Sequence, residues 1–124
     1  MTALSLRGVR VLIVEDNYVL ADAMRSLLAR YEGVVTAVAA TVPQAVAALA
    51  ESGADVAVLD VNLAGASVVP FAERLRVDDI PFLFVTGYGD DPELLPEHLR
   101  DHPRLEKPVE AEQLVGVLAS LARR

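Results

Sequence analysis

An open, doubly wound α/β sandwich, a parallel sheet with helices on both faces, is the fold class this sequence predicts. Three observations lead there. Short β-branched runs alternate along the chain with stretches whose apolar residues recur at helical spacing. The runs are nearly unbroken rather than polar at every second residue, the mark of strands buried on both faces. Polar residues gather where the runs end, and that edge is where such sheets bind ligands. Crossovers between parallel strands are right-handed, so five strands alternating with five helices form one such sandwich.

Each element has its own warrant. Val9 to Val14 is the first strand, followed by Glu15-Asp16-Asn17. Val19, Leu20, Ala23, Met24, Leu27, Leu28 and Tyr31 then trace a helix that Gly33 stops. Val34 to Ala40 reads as the second strand. Thr41 with Gln44 three residues on predicts a capping box, and Val42, Ala45, Val46, Leu49 and Ala50 form the stripe of the helix it opens. Asp55 to Leu59 is the third strand, ending at Asp60, with a loop over Asn62 to Gly65. Val68, Val69, Ala72 and Leu75 mark the third helix, and Pro81 to Val85 the fourth strand, ending at Thr86. Within 87–103, Asp90 or Asp91 is a candidate cap for a helix with Pro92 in its first turn and Leu94, Leu95 and Leu99 inward. Pro96 kinks or shortens that helix. Arg104-Leu105-Glu106 is a short fifth strand before Lys107-Pro108, and Leu114, Val115, Leu118, Leu121 and Ala122 define the last helix.

Composition bounds the function. The 124 residues suit a single domain over 1–124, with its core across 9–122. Apolar residues make up 53 %, too many for a disordered chain. The absence of cysteine excludes disulfides, thiolate metal sites and a cysteine nucleophile. Eighteen acids against eleven bases give a net charge of −7, which argues against a nucleic-acid surface. No run approaches the roughly 20 apolar residues of a membrane span, and residues 1–7 lack a signal-peptide pattern, so the expected location is the cytoplasm. Ten of the eleven bases are Arg, and Lys107 is the only lysine.

The strand ends carry the chemistry. An Asp at a strand end is commonly just a cap or a turn residue. Here, however, the first strand ends in Glu15-Asp16, the third in Asp60, the fourth in Thr86 and the fifth in Lys107. The fold brings these ends to one edge. Converging carboxylates without Cys or His suit a hard cation, most naturally Mg²⁺. His98 and His102 lie in the polar segment and read as surface residues rather than zinc ligands. A carboxylate beside Mg²⁺ can attack a phosphoryl group, while a lysine and a hydroxyl hold its oxygens. The plainer role for Lys107 is an ion pair with one of the acids, which places it in the same site.

Val11-Leu12-Ile13-Val14-Glu15-Asp16-Asn17, Val58-Leu59-Asp60-Val61-Asn62-Leu63, Val85-Thr86-Gly87-Tyr88 and Lys107-Pro108 together resemble the receiver domain of two-component response regulators, over residues 9–122. The resemblance implies a flavodoxin-like five-stranded parallel sheet of order 2-1-3-4-5. It implies that Asp60 accepts a phosphoryl group from a histidine kinase. Asp16 and Asp60 then ligate Mg²⁺ through their side chains, Asn62 through its backbone carbonyl and Glu15 through water. Thr86 and Lys107 contact the phosphoryl oxygens, and Lys107-Pro108 is a cis peptide. Phe82 to Tyr88 also resembles the stand-alone receivers with a Phe-Ala-Thr-Gly-Tyr motif, Val85 replacing the Ala, and these tend to pair with kinases of the HWE or a related type. Arg104 stands where many receivers carry a switching Tyr or Phe. The switch expected here therefore falls to Thr86, Tyr88 and the segment 87–103, expected to be the least stable part of the domain.

The leading expectation is a non-enzymatic switch that signals by phosphorylation-dependent binding of a downstream protein. The alternative is a phosphate shuttle or sink serving a histidine phosphotransfer protein. A phosphohydrolase with an aspartate nucleophile would need a general acid two residues after it, and Asn62 cannot serve as one. An interaction module that is never phosphorylated leaves the acid, Thr and Lys set without a role.

Overall fold

The computed structural model of the protein describes residues 4–87, 90 and 95–123. Five strands, β1 (Arg10–Val14), β2 (Val34–Ala39), β3 (Val56–Asp60), β4 (Phe82–Thr86) and β5 (Arg104–Glu106), pair in parallel in the order β2-β1-β3-β4-β5. The helices are α1 (Tyr18–Arg30), α2 (Val42–Ser52), α3 (Val69–Val77) and α4 (Ala111–Ala122).

The strand period of two splits the core into two layers. Leu12, Val14, Ala57, Leu59, Phe82 and Phe84 point to one face, where Ala45 and Leu49 of α2 and Phe71, Ala72 and Leu75 of α3 cover them. Val11, Ile13, Val56, Val58, Leu83 and Val85 point to the other, against Met24 and Leu28 of α1 and Leu114, Val115 and Leu118 of α4. This two-sided burial is why the strand runs lack polar positions. Continuing the alternation carries Glu15 and Asp60 onto the α1 and α4 side at the carboxyl edge.

Two expectations need correction. The loop over Asn62 to Gly65 is instead a hairpin, with Asn62–Leu63 antiparallel to Ala66–Ser67. Ala64 and Gly65 both have positive φ, 50° and 86°, as a two-residue type I′ turn requires. Gly65 N–H donates to Asn62 Oδ1 at 2.9 Å and ties the turn. The helix expected after Asp90 or Asp91 is, among the described residues, one 3₁₀ turn over Glu97–Leu99. Pro96 precedes it with an extended ψ of 153°, since a proline inside a helix removes a donor and clashes with the turn before it. The Asp90 carboxylate takes the Gly87 N–H. Asp91, Pro92 and Leu94 lie outside the described residues. Leu95 and Leu99 are buried as expected.

Candidate functional site

The site is assembled from loop ends. Glu15 follows β1 and Asp60 closes β3, and both are buried, 2 % and 4 % exposed. Asn17 caps α1 through Oδ1, which accepts from Leu20 N–H at 3.1 Å. The same residue's N–H donates to Glu15 Oε2 at 3.1 Å, so the start of α1 fixes that carboxylate. Nothing in the residue pattern announces this second duty, because it is a backbone bond. Asp60 Oδ1 accepts from Asn62 N–H at 3.0 Å, and Asp60 Oδ2 accepts from Lys107 Nζ at 3.3 Å. Lys107 Nζ also lies 2.9 Å from Glu15 Oε1, as an ion pair without hydrogen-bond alignment, leaving that buried oxygen short of an aligned donor.

Carboxylate oxygens of Glu15, Asp16 and Asp60 all lie within 4.8 Å of one another. That donor set, all oxygen and with one under-satisfied buried atom, fits a hard divalent cation such as Mg²⁺. Electrostatics agree. Burial pushes the Asp60 carboxyl up to about 7, aided by its contact with Glu15 and the Glu15 charge, against the Asn62 N–H and Lys107. Burial also opposes the Glu15 charge, but contacts with Asp60, Lys107 and the Asn17 N–H outweigh it and hold Glu15 below its usual value. For Lys107, burial disfavours the ammonium while the two carboxylates more than restore it, so its pKa is raised. Without metal, the pair takes up its first proton near pH 7, chiefly on Asp60.

The other expected residues fall as follows. Thr86 ends β4, half-buried, one residue beyond Val85, which pairs with Asp60; its carbonyl accepts from Lys107 N–H at 2.8 Å. Asn62 reaches Asp60 through its backbone, its side chain being engaged in the hairpin turn. Arg104 is exposed and in register with Phe84, two positions before the Thr86–Glu106 pair, so it stands away from the carboxylates. Tyr88 lies outside the described residues. Lys107-Pro108 is cis. Neither histidine joins the cluster: His98 pairs with Glu73, and His102 stacks on Phe82 with ring centroids 4.4 Å apart.

A parallel sheet of this order, with acids at the ends of β1 and β3 and a lysine after β5, sets the class of protein as a flavodoxin-like α/β domain with an acidic edge. The family model of the response regulator receiver domain matches residues 11–119, and the chain belongs to that family. Receiver domains serve two-component signalling, bind Mg²⁺ at an acidic cluster and are phosphorylated by histidine kinases. Among solved structures the chain is similar to SdrG from Sphingomonas melonis Fr1, 37 % identical with 98 % of each chain covered and a TM-score of 0.79. It is also similar to the signal receiver domain of a modulated diguanylate cyclase from Desulfovibrio desulfuricans G20, 30 % identical over 93 % of this chain and 94 % of that one, TM-score 0.83. The sensory transduction protein RegX3 from Mycolicibacterium smegmatis is 34 % identical over 116 residues, 92 % of this chain and 50 % of RegX3. The chain thus spans about half the length of the curated relatives it matches.

Proposed function

We propose that Asp60 is the phosphoacceptor and that the domain signals by binding a partner in a phosphorylation-dependent way. The observation that carries this is the Asp60 carboxylate itself, buried between the Glu15-Asp16 pair and Lys107 at the carboxyl edge of the central strand. One Asp60 oxygen attacks the phosphorus of a phosphohistidine, the P–N bond breaks, and its electron pair leaves with the imidazole nitrogen, which takes up a proton from solvent. The product is an acyl phosphate on Asp60. Lys107 and the Thr86 hydroxyl hold the phosphoryl oxygens, and the Asn62 N–H orients the nucleophile. Asp16 and Asp60, Glu15 through water and the Asn62 carbonyl would hold Mg²⁺, which when bound would offset the charge of the acids and of the incoming group. The domain is a stoichiometric acceptor rather than a turnover enzyme.

The donor in this reading is a histidine kinase of the HWE or a related type, supported by the Phe84-Val85-Thr86-Gly87-Tyr88 motif. Tyr18 and Val19, 83 % and 73 % exposed two and three residues after Asp16, offer such a partner an apolar foothold beside the acids. No helix among the described residues is long and apolar enough to cross a membrane, and the reading places the domain in the cytoplasm. The test is incubation with Mg²⁺ and a small phosphodonor, followed by intact-mass measurement. The wild type gains one phosphoryl mass and Asp60→Asn, correctly folded, gains none; equal modification of the variant would overturn the assignment.

A further inference from the structure

The strand that carries Thr86 ends in a short hydrogen bond with no role in phosphoacceptance as described. Gly87 N–H donates to Asp90 Oδ2 at 2.6 Å, and Asp90 N–H returns to the Gly87 carbonyl at 3.1 Å. A backbone donor on a carboxylate at this distance is charge-assisted and about twice as strong as a neutral bond. Gly87 leaves room for it, since a Cβ there would stand 3.3 Å from the same oxygen.

The direction of this N–H follows from the ladder. Phe84 N–H donates to the Pro103 carbonyl and the Thr86 carbonyl accepts from Lys107 N–H, both toward β5. The Val85 carbonyl accepts from Val61 N–H, toward β3. Backbone groups alternate sides along a strand, so one residue further on the Gly87 N–H turns to the β3 side. There Asp60 is in register with Val85. The donor thus faces the half of the edge where an acyl phosphate on Asp60 would bring new anionic oxygens, and an anion of the chain already holds it.

We propose that the Asp90 carboxylate is an internal stand-in for the phosphoryl group, holding the Gly87 N–H in the unphosphorylated domain until a phosphoryl group on Asp60 displaces it. The inference rests on the phosphoacceptor reading of Asp60. Asp90 is then a positioning residue: it sets how strongly the resting state competes, and its release frees the chain after Thr86. Two anions cannot share one N–H without repulsion, so occupancy is exclusive.

Beryllofluoride with Mg²⁺, a phosphoryl mimic that binds carboxylates, is the probe, with affinity read by calorimetry and phosphoryl gain by intact mass. Asp90→Ala tightens beryllofluoride binding at least about tenfold, the scale of one lost competing charged hydrogen bond. Asp90→Asn, whose neutral amide oxygen still accepts, falls between it and the wild type and keeps the turn intact should alanine disturb it. In the wild type, the Asp90 carboxyl carbon resonance moves to its solvent-exposed position when beryllofluoride is added. Glu106→Gln removes an exposed charge in register with Thr86 without touching Gly87, and leaves the affinity unchanged. If Glu106→Gln tightens binding as much as Asp90→Ala, a general field is at work and the proposal falls. Unchanged or weakened binding in both Asp90 variants, with a wild type that binds the mimic, overturns the proposal alone. A wild type that neither binds the mimic nor gains phosphoryl mass overturns the phosphoacceptor reading, and the proposal with it.

Discussion

Lys107 touches both buried acids, 2.9 Å from Glu15 and 3.3 Å from Asp60, and is 23 % exposed. A compact ammonium on a flexible stem can leave one carboxylate for a phosphoryl oxygen, whereas a planar guanidinium binds in a fixed fork. Lys107→Arg is therefore expected to fold and to gain phosphoryl mass, yet to lose most of the NMR chemical-shift response to phosphorylation. A response equal to the wild type's would make Lys107 a bystander. At this scale much was legible: Lys107 is the sole lysine, and Glu15, Asp16 and Asp60 each terminate an apolar run. Less legible were contacts made by backbone atoms. The Asn17 N–H on Glu15 and the Gly87 N–H on Asp90 leave no signature, because every residue but proline carries that donor. Leu6 is fully buried, yet a lone apolar residue between Ser5 and Arg7 shows no period to read.

Elements were readable where they were long enough to display a period. The strands and the four α-helices fall within a few residues of expectation, and the Thr41 cap is present, Oγ1 accepting from Gln44 N–H at 3.2 Å. The return bond reaches one residue further than in a standard box, from Ala40 N–H to Gln44 Oε1 at 2.9 Å. The hairpin escaped because two-residue strands carry no periodicity and Ala64-Gly65 is not the usual Asn-Gly turn pair. The Thr41 cap can be weighed directly. Thr41→Ala removes a side-chain acceptor at an exposed helix start and is expected to lower stability by ~1 kcal/mol in urea denaturation. The stabilisation conferred by Mg²⁺ should be unchanged, since Thr41 opens α2 on the sheet face opposite the one Glu15 and Asp60 share. A loss well below ~0.5 kcal/mol would show the cap to be redundant with the packing of Ala45 and Leu49.

The whole molecule carries a conflict between fold and site, because a core stable enough to hold three acids together must tolerate their charge. Net charge is −7, and two of the acids are buried. Asp60 has a folded pKa of about 7 against about 3.9 unfolded, so the folded state binds the proton more tightly. A raised pKa contributes stability that is full below the unfolded value and is lost as pH rises through the folded one. The lowered Glu15 pKa acts oppositely, its contribution being lost only as pH falls below the usual carboxylate range. Between about pH 4.5 and about pH 8 the Asp60 contribution therefore dominates, and the metal-free domain should become less stable as pH rises. Mg²⁺ needs the same carboxylate ionised, so its affinity rises over this window. At about 100-fold excess over Kd it adds ~2.7 kcal/mol, fully realised only above the Asp60 pKa. Thermal unfolding followed by circular dichroism, at about pH 5.5 and about pH 8 with and without Mg²⁺, checks both signs. The expected Mg²⁺-dependent rise in Tm is several degrees at the higher pH and much smaller at the lower. Asp60→Asn should abolish that difference and, in removing the titrating group, make the metal-free protein more stable than the wild type at the higher pH. An equal rise in Tm at both pH values would mean that the metal does not compete with the Asp60 proton and is held elsewhere on the molecule.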